Sequence, residues 1–264
     1  MKALWSAASG MKNLQLKIDT ISNNIANVNT TGFKLQRVEF KDIMYDQYTQ
    51  RDQIQNEGSP VPIEIGHGVM TSATLRNFET GNLQQTESNL DFAISGDHFF
   101  TVIDENGNTR YTKDGSFKIA ATDEGPKLVT SDGYYVQGEG GDIALGDEVE
   151  EISVDSSGNI TVKRAGVEAY EAIDTFSLTK FINPAGLEAI GKNLYTETTA
   201  SGVPIDGIGD DDKTEVLQGF IENSNVQIVD EMINLITAER AYEINSKSIQ
   251  TADRLLEIAN NLKR

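Results

Sequence analysis

The residues that most often carry chemistry are sparse in this chain. It has two histidines, His67 and His98, both beside Gly or Asp in predicted turns. A metal centre needs three or four ligands at workable spacing, and two isolated imidazoles do not supply them. There is no cysteine, so neither a thiolate site nor a disulfide framework can form. Asp97-His98 has the look of half a catalytic pair, but no serine stands in a Gly-x-Ser-x-Gly setting. "DENGNTR" and "GIGDDDKTE" resemble calcium loops only faintly, because neither has the twelve-residue ligand order with a closing Glu. They read as a hairpin turn and a solvated linker. The 41 carboxylates leave room for a glycosidase-type pair, yet no spacing nominates one. The expectation is therefore a protein with no catalytic, metal-binding or cofactor-binding residue.

What the sequence does specify is a pair of helices at its two ends. Leu4, Ala7, Met11, Leu14, Ile18, Ile21, Ile25 and Val28 alternate steps of three and four, an a/d heptad stripe. Near the other terminus Ile228, Leu235, Tyr242, Ile249 and Leu256 recur every seven residues at position a. Ala238, Asn245, Ala252 and Ala259 fill position d, with Glu231 the misfit at the first d. Ser224, with Gln227 three residues on, reads as a capping box opening this helix. From Val226 to Leu262 it would run roughly 55 Å at 1.5 Å per residue. Gly10 costs a helix about 1 kcal/mol against Ala, which is tolerated where another backbone passes closely. Asn23, Asn24 and Asn27 should flank the seam and bond to neighbouring chains. Asn29-Thr30-Thr31-Gly32 should end the first helix, with Gly32 free to take positive φ. If the chain leaves and re-enters the middle region on one side, the two helices are antiparallel.

The middle changes period. "DFAISGDHFFTVIDENGNTRYTKDGSFKIA" and the runs after it alternate over short stretches broken by Asp-Glu-Asn-Gly and Lys-Asp-Gly-Ser, which are hairpin signals. A compact all-β domain is expected there. Residues 46–67, polar with Pro60 and Pro62, read as an extended arm whose apolar anchors are Ile54, Val61, Ile63 and Ile65. Charge follows the same division. The net of −19 lies wholly within residues 51–220, while the two ends together are neutral. An acidic middle argues against nucleic acid as a partner. No run of 18 apolar residues exists to span a membrane. The first residues lack the uninterrupted apolar stretch of a secretory signal.

At this point several motifs carry a family likeness. "SNNIANVNTTGFK" resembles the opening signature of bacterial flagellar rod and hook proteins, and "SNVQIVDEMINLITAERAYEINSKSIQTADRLL" resembles their closing segment. "LDFAISGDHFFTV", "RYTKDGSF", "LVTSDGYYVQG" and "GLEAIGKNLYTET" look like the β-domain motifs of that family. The order and length are most similar to its distal rod member. His98 departs from the Gly common at that position, and the arm keeps little of the family wording.

The resemblance implies an α+β chain. Residues 1–35 and 218–264 would form an antiparallel, coiled-coil-like axial core, 36–67 the extended connector, and 68–217 the β domain. It implies a non-enzymatic structural subunit that self-assembles into a helical tube transmitting motor torque. The interface expected is Leu4, Met11, Leu14, Ile18, Ile21, Asn24, Ile25, Asn27, Val28, Ile228, Leu235, Tyr242, Asn245, Ile249 and Leu256, with Ile54, Pro60, Val61, Pro62, Ile63 and Ile65 as the axial arm. Implied partners are further copies, other rod and hook subunits, the type III export apparatus and bushing-ring proteins. The implied location is the basal body in the cell envelope, reached without a cleaved signal. The alternatives are a proximal rod or short hook subunit and, from a different class, a wall-acting accessory enzyme with a β domain.

Overall fold

The computed structural model describes residues 2–48, 63–104, 106–122, 125–146, 149–166, 169–209 and 213–262. It is an α+β chain of two compact units. The first unit holds both terminal helices and residues 36–75. The second holds 27–35 and 76–226.

In the first unit α1 spans Lys2–Ala26 and α2 spans Ile228–Asn261. Four strands accompany them: β1 (Gln36–Asp42), β2 (Tyr45–Tyr48), β3 (Ile63–Gly66) and β4 (Val69–Arg76). β1 pairs with β4, and β2 pairs antiparallel with β3, with Tyr48 opposite Ile63. The segment read as an extended connector is thus partly sheet that belongs with the helices. Ile63 and Ile65 lie in β3, and Ile65 is exposed. Ile54, Pro60, Val61 and Pro62 lie outside the described residues.

The capping expectation for α2 is corrected. The helix begins two residues later, with Gln227 as N-cap and no side-chain cap bond. Ser224 Oγ instead accepts from Val226 N–H at 3.3 Å, a local turn that competes with helix initiation.

Among the described residues of the second unit the regular elements are strands, with one short 3-10 turn at Pro184–Gly186. In chain order the strands are β5 (Leu83–Gln85), β6 (Phe92–Ser95), β7 (Phe99–Ile103), β8 (Thr109–Thr112), β9 (Phe117–Thr122), β10 (Gly125–Thr130), β11 (Tyr135–Gly138) and β12 (Gly141–Asp142). They continue as β13 (Val149–Val154), β14 (Asn159–Arg164), β15 (Tyr170–Thr175), β16 (Leu178–Lys180), β17 (Glu188–Gly191), β18 (Leu194–Thr196), β19 (Ile205–Asp206), β20 (Glu215–Gln218) and β21 (Phe220–Glu222). The largest sheet runs β17-β18-β8-β7-β11-β10-β9, with β12, β16 and β19 off that path. β13, β14 and β15 form a separate three-stranded sheet.

β7 lies at the centre of the large sheet, and "FFTVI" is apolar almost throughout because both of its faces are covered. Phe100 and Val102 enter the larger core with Phe92, Ile94, Phe117, Val136, Phe176 and Leu178. Phe99, on the opposite face, packs with Tyr111, Phe181, Leu187 and Tyr195.

Of the two hairpin signals, the first lies between the paired strands β7 and β8; the second is corrected, because it makes a turn from β8 to β9, which are not neighbours in the sheet. Asp104 accepts from Asn106 N–H at 2.6 Å and from both neighbouring Asn side chains, which holds its carboxyl below the usual range, the Asn106 backbone bond being the largest cause. This is a hairpin turn whose carboxylate is used locally. Asp114 likewise accepts from Ser116 N–H and Oγ–H. Gly115 is required there, since a Cβ would strike the carbonyl of Phe92.

Candidate assembly interface

The interface residues named from sequence fall mainly on one seam, and that seam lies between α1 and α2 of the same chain. The helices are antiparallel. Asn24 meets Glu231, and fourteen residues back along α1 Gly10 abuts Asn245, fourteen residues further along α2. Equal steps of two heptads on each helix are the signature of coiled-coil packing.

Ile21 and Ala238 are buried in the seam, with Ala7 on the same face of α1. Leu4, Met11, Leu14, Ile18, Ile25, Leu235, Tyr242, Asn245 and Ile249 are half-buried along it. A Cβ at Gly10 would come within 3.2 Å of Asn245 Nδ2, so the glycine makes room for a side chain on the facing helix.

Five sequence placements change. Asn24 occupies the seam rather than flanking it, at 1% exposure. Asn27 and Val28 follow the end of α1 and belong to the second unit. Ile228 and Leu256, the two ends of the a-position series, are exposed at 47% and 43%. Both lie at the ends of α2, where α1 covers little of the helix.

The apparent misfit Glu231 turns out to be a matched partner. Asn24 Nδ2 donates to Glu231 Oε2 at 2.9 Å and to the carbonyl of Gln36 at 2.8 Å, while Asn24 Oδ1 accepts from Gln36 N–H at 3.1 Å. Asn234 Nδ2 donates to the other oxygen, Glu231 Oε1, at 3.0 Å. A polar pair at seam positions fixes register, because any slip would strand a buried carboxylate. Asn13, which the heptad reading passed over, is also buried. It donates to Ser9 and Val69 carbonyls at 2.8 and 2.7 Å and accepts from Thr71 Oγ1 at 2.6 Å, tying β4 to α1. No apolar spacing could have marked it.

In the second unit Gly32 has φ of 67°, and a Cβ there would lie 2.8 Å from Asp114 N. The turn therefore needs glycine on both counts. Beyond it Lys34 is fully buried. Its ammonium donates to Glu222 Oε1 at 2.6 Å and to the carbonyls of Glu79 and Phe78 at 2.8 and 3.3 Å. The short 27–35 stretch of this unit is thus tied, through Lys34, to Glu222 on β21, the last strand of the unit.

Lys113 is buried too, donating to the Gly96 carbonyl at 2.6 Å and lying over the Phe99 ring. Burial pulls its pKa down to about 8. No spacing in the sequence marks either lysine as buried.

The histidines are used structurally. His98 is fully buried, with Nδ1 2.7 Å from Thr214 Oγ1 and Nε2 3.3 Å from the Gly207 carbonyl. A carbonyl only accepts, so Nε2 is the donor to Gly207. His67 Nε2 lies 3.1 Å from Asp46 Oδ1 at the surface. Among the described residues no three His, Asp or Glu gather as a metal site, and no helix is long and apolar enough to cross a membrane.

Comparison with known proteins agrees along the whole chain. Residues 4–34 match the family described as flagella basal body rod protein. Residues 93–162 match the flagellar hook protein FlgE/F/G D1 domain, and residues 217–262 match the flagellar basal body rod FlgEFG protein C-terminal region. The chain is 45% identical to the flagellar basal-body rod protein FlgG of Borreliella burgdorferi, over 100% of this chain and 99% of the relative. It is 40% identical to the FlgG of Caulobacter vibrioides over the full length of both. A flagellar hook-basal body complex protein of Bacillus subtilis, FlhP, is 30% identical over the full length of both. The chain belongs to the flagellar basal-body rod protein family, with FlgG proteins among its full-length relatives.

Proposed function

We propose that this chain is a non-enzymatic structural subunit of the distal flagellar rod, self-assembling into a helical tube that carries torque. One observation supports this most directly. The two chain ends pair through a register-locked seam, yet α2 keeps Val229, Ile233, Ile236 and Ile244 exposed at 48–70% on the side away from α1. A helix apolar on two opposite sides is built for more neighbours than one chain supplies.

The seam named from sequence is then the subunit's internal joint, and the outward stripe of α2 is its contact with other subunits. Rod and hook subunits are the expected axial partners, the type III export apparatus the route out, and bushing-ring proteins the neighbours outside. The site of action is the basal body within the cell envelope.

The test is assembly of the purified full-length chain. Raising its concentration should yield straight tubes by electron microscopy, with no hydrolysis of cell-wall substrate. Turnover of peptidoglycan by a chain that never polymerises would overturn the reading.

A further inference from the structure

The stagger of the helix pair leaves one end of α2 overhanging. Asn24 meets Glu231 and Gly10 abuts Asn245, so α1, which starts at Lys2, comes abreast of α2 near Asp253. Residues 253–262 run past it. Exposure changes at that point: Ala252 is half-buried, and every residue from Asp253 to Leu262 is exposed. The overhang is nevertheless apolar, with Leu255, Leu256, Ile258 and Leu262 at 43–82% exposure. Trp5, 73% exposed on the first turns of α1, stands at the same end.

A second apolar cluster opens α2, formed by Ile228, Val229, Met232, Ile233 and Ile236 at 47–70% exposure. Between the two clusters Glu239, Arg240, Glu243, Lys247 and Arg254 are exposed, interrupted by Ile244. Val229 and Leu255 lie about 39 Å apart along one continuous helix, so the clusters cannot cover each other within a chain.

We infer that the C-terminal overhang of one copy docks on the opening cluster of α2 in the next copy, head to tail. This rests on the self-assembly reading above and names its contact. Every copy carries one of each cluster on a single rigid element. A contact joining two different patches leaves one of each free at the ends of the growing assembly, so addition continues without closing. Pairing overhang with overhang would stop at two copies and leave both opening clusters wet. Leu255 and Leu256, adjacent on the helix and therefore about 100° apart around it, suit insertion among several side chains better than lying on a flat face.

The test uses two full-length variants. One carries Leu255→Glu and Ile258→Glu, the other Met232→Glu and Ile233→Glu. All four side chains are half exposed or more in the single chain, and circular dichroism checks that each variant keeps its helices. Sedimentation should show the critical concentration for polymerisation raised by about tenfold or more in each variant alone, the equivalent of about 1.4 kcal/mol. Mixed in equal amounts at that concentration, the two should form one-to-one dimers by analytical ultracentrifugation and no polymer, because only one good contact can form. Three results overturn the inference: either variant polymerising as the parent does, a mixture with no heterodimer, or the opening-cluster variant dimerising alone. Failure of the unaltered protein to polymerise overturns the self-assembly reading itself, and this contact with it.

Discussion

Lys34 and Lys113 show how one residue type takes opposite roles according to its partners. Lys34 is neutralised by Glu222, whose Oε1 also accepts from Gly81 N–H at 2.7 Å, while Oε2 is buried with no partner among the described residues. Removing the cation leaves that carboxylate uncompensated. Lys34→Met should therefore cost about 3–5 kcal/mol in urea unfolding of the β unit. Adding Glu222→Gln, which removes the charge but keeps an acceptor for Gly81, should recover more than half; no recovery would mean the pair is not what holds these strands. Lys113 sits over an aromatic ring with burial lowering its pKa from 10.5 to about 8. Between those values the unfolded chain holds a proton that the folded chain has shed, so stability should rise with pH from about 8 to about 10.5, by about 3 kcal/mol over the full window. Burial pushes Tyr111 and Tyr195 up to about 12. From pH 10 upward the unfolded chain ionises these phenols first, so stability should fall again. Thermal melts across pH 7–12 should show this maximum near pH 10, and Lys113→Met should remove the rising limb alone.

At the scale of elements the α1–α2 pair behaves as an internal joint. Ile21 is 5% exposed against α2, and an unpaired carboxylate buried there costs several kcal/mol. Ile21→Asp should lose helicity at both ends of the chain by far-UV circular dichroism and abolish tube formation, while the β unit still unfolds cooperatively. Retained helicity together with tubes like the parent's would place the seam elsewhere. The β2–β3 ribbon allows a separate test of the arm. Tyr48 lies opposite Ile63, so residues 49–62 can be replaced by a two-residue Asn-Gly hairpin turn without opening the ribbon. If the arm docks on an axial neighbour and opposes sliding, the shortened chain should still assemble but into curved or flexible tubes. Tubes as straight as the parent's would make the segment a linker only.

The whole molecule divides its stability unevenly. The β unit buries two aromatic-rich clusters, with Phe92, Phe99, Phe100, Ile94 and Leu178 at 1% exposure or less. The helix pair of the first unit buries far less: Ala7, Asn13, Ile21 and Asn24 on α1, and Glu231 and Ala238 on α2. Two helices with one narrow seam are weakly stable alone. Hydrogen exchange on dilute monomer should therefore find α1 and α2 opening well before β7 and β11, and strongly protected only in the polymer. Equal protection of helices and sheet in a verified monomer would mean the helices need no further partners.

Much of this architecture was legible because it is periodic. A stripe every three or four residues and alternation between hairpin turns are local patterns, and they specified the two helices, the β region and the turns at Asp104 and Asp114 without reference to the rest of the chain. The motif likeness added the family. Tertiary structure decided what periodicity cannot encode, namely which face meets what. Glu231 breaks the heptad on paper and completes it against Asn24, because a buried polar residue is judged by a partner 207 residues away. Lys34 and Lys113 are buried cations that no periodicity marks, because their acceptors, Glu222 and the Phe78 and Glu79 carbonyls for one and the Gly96 carbonyl for the other, come from elsewhere in the chain. The seam residues expected at the assembly interface pair the chain's own two ends, as the antiparallel core required, and leave a second apolar side of α2 exposed. A sequence states that a face is apolar, but only the fold shows whether the chain covers that face itself or leaves it for another copy.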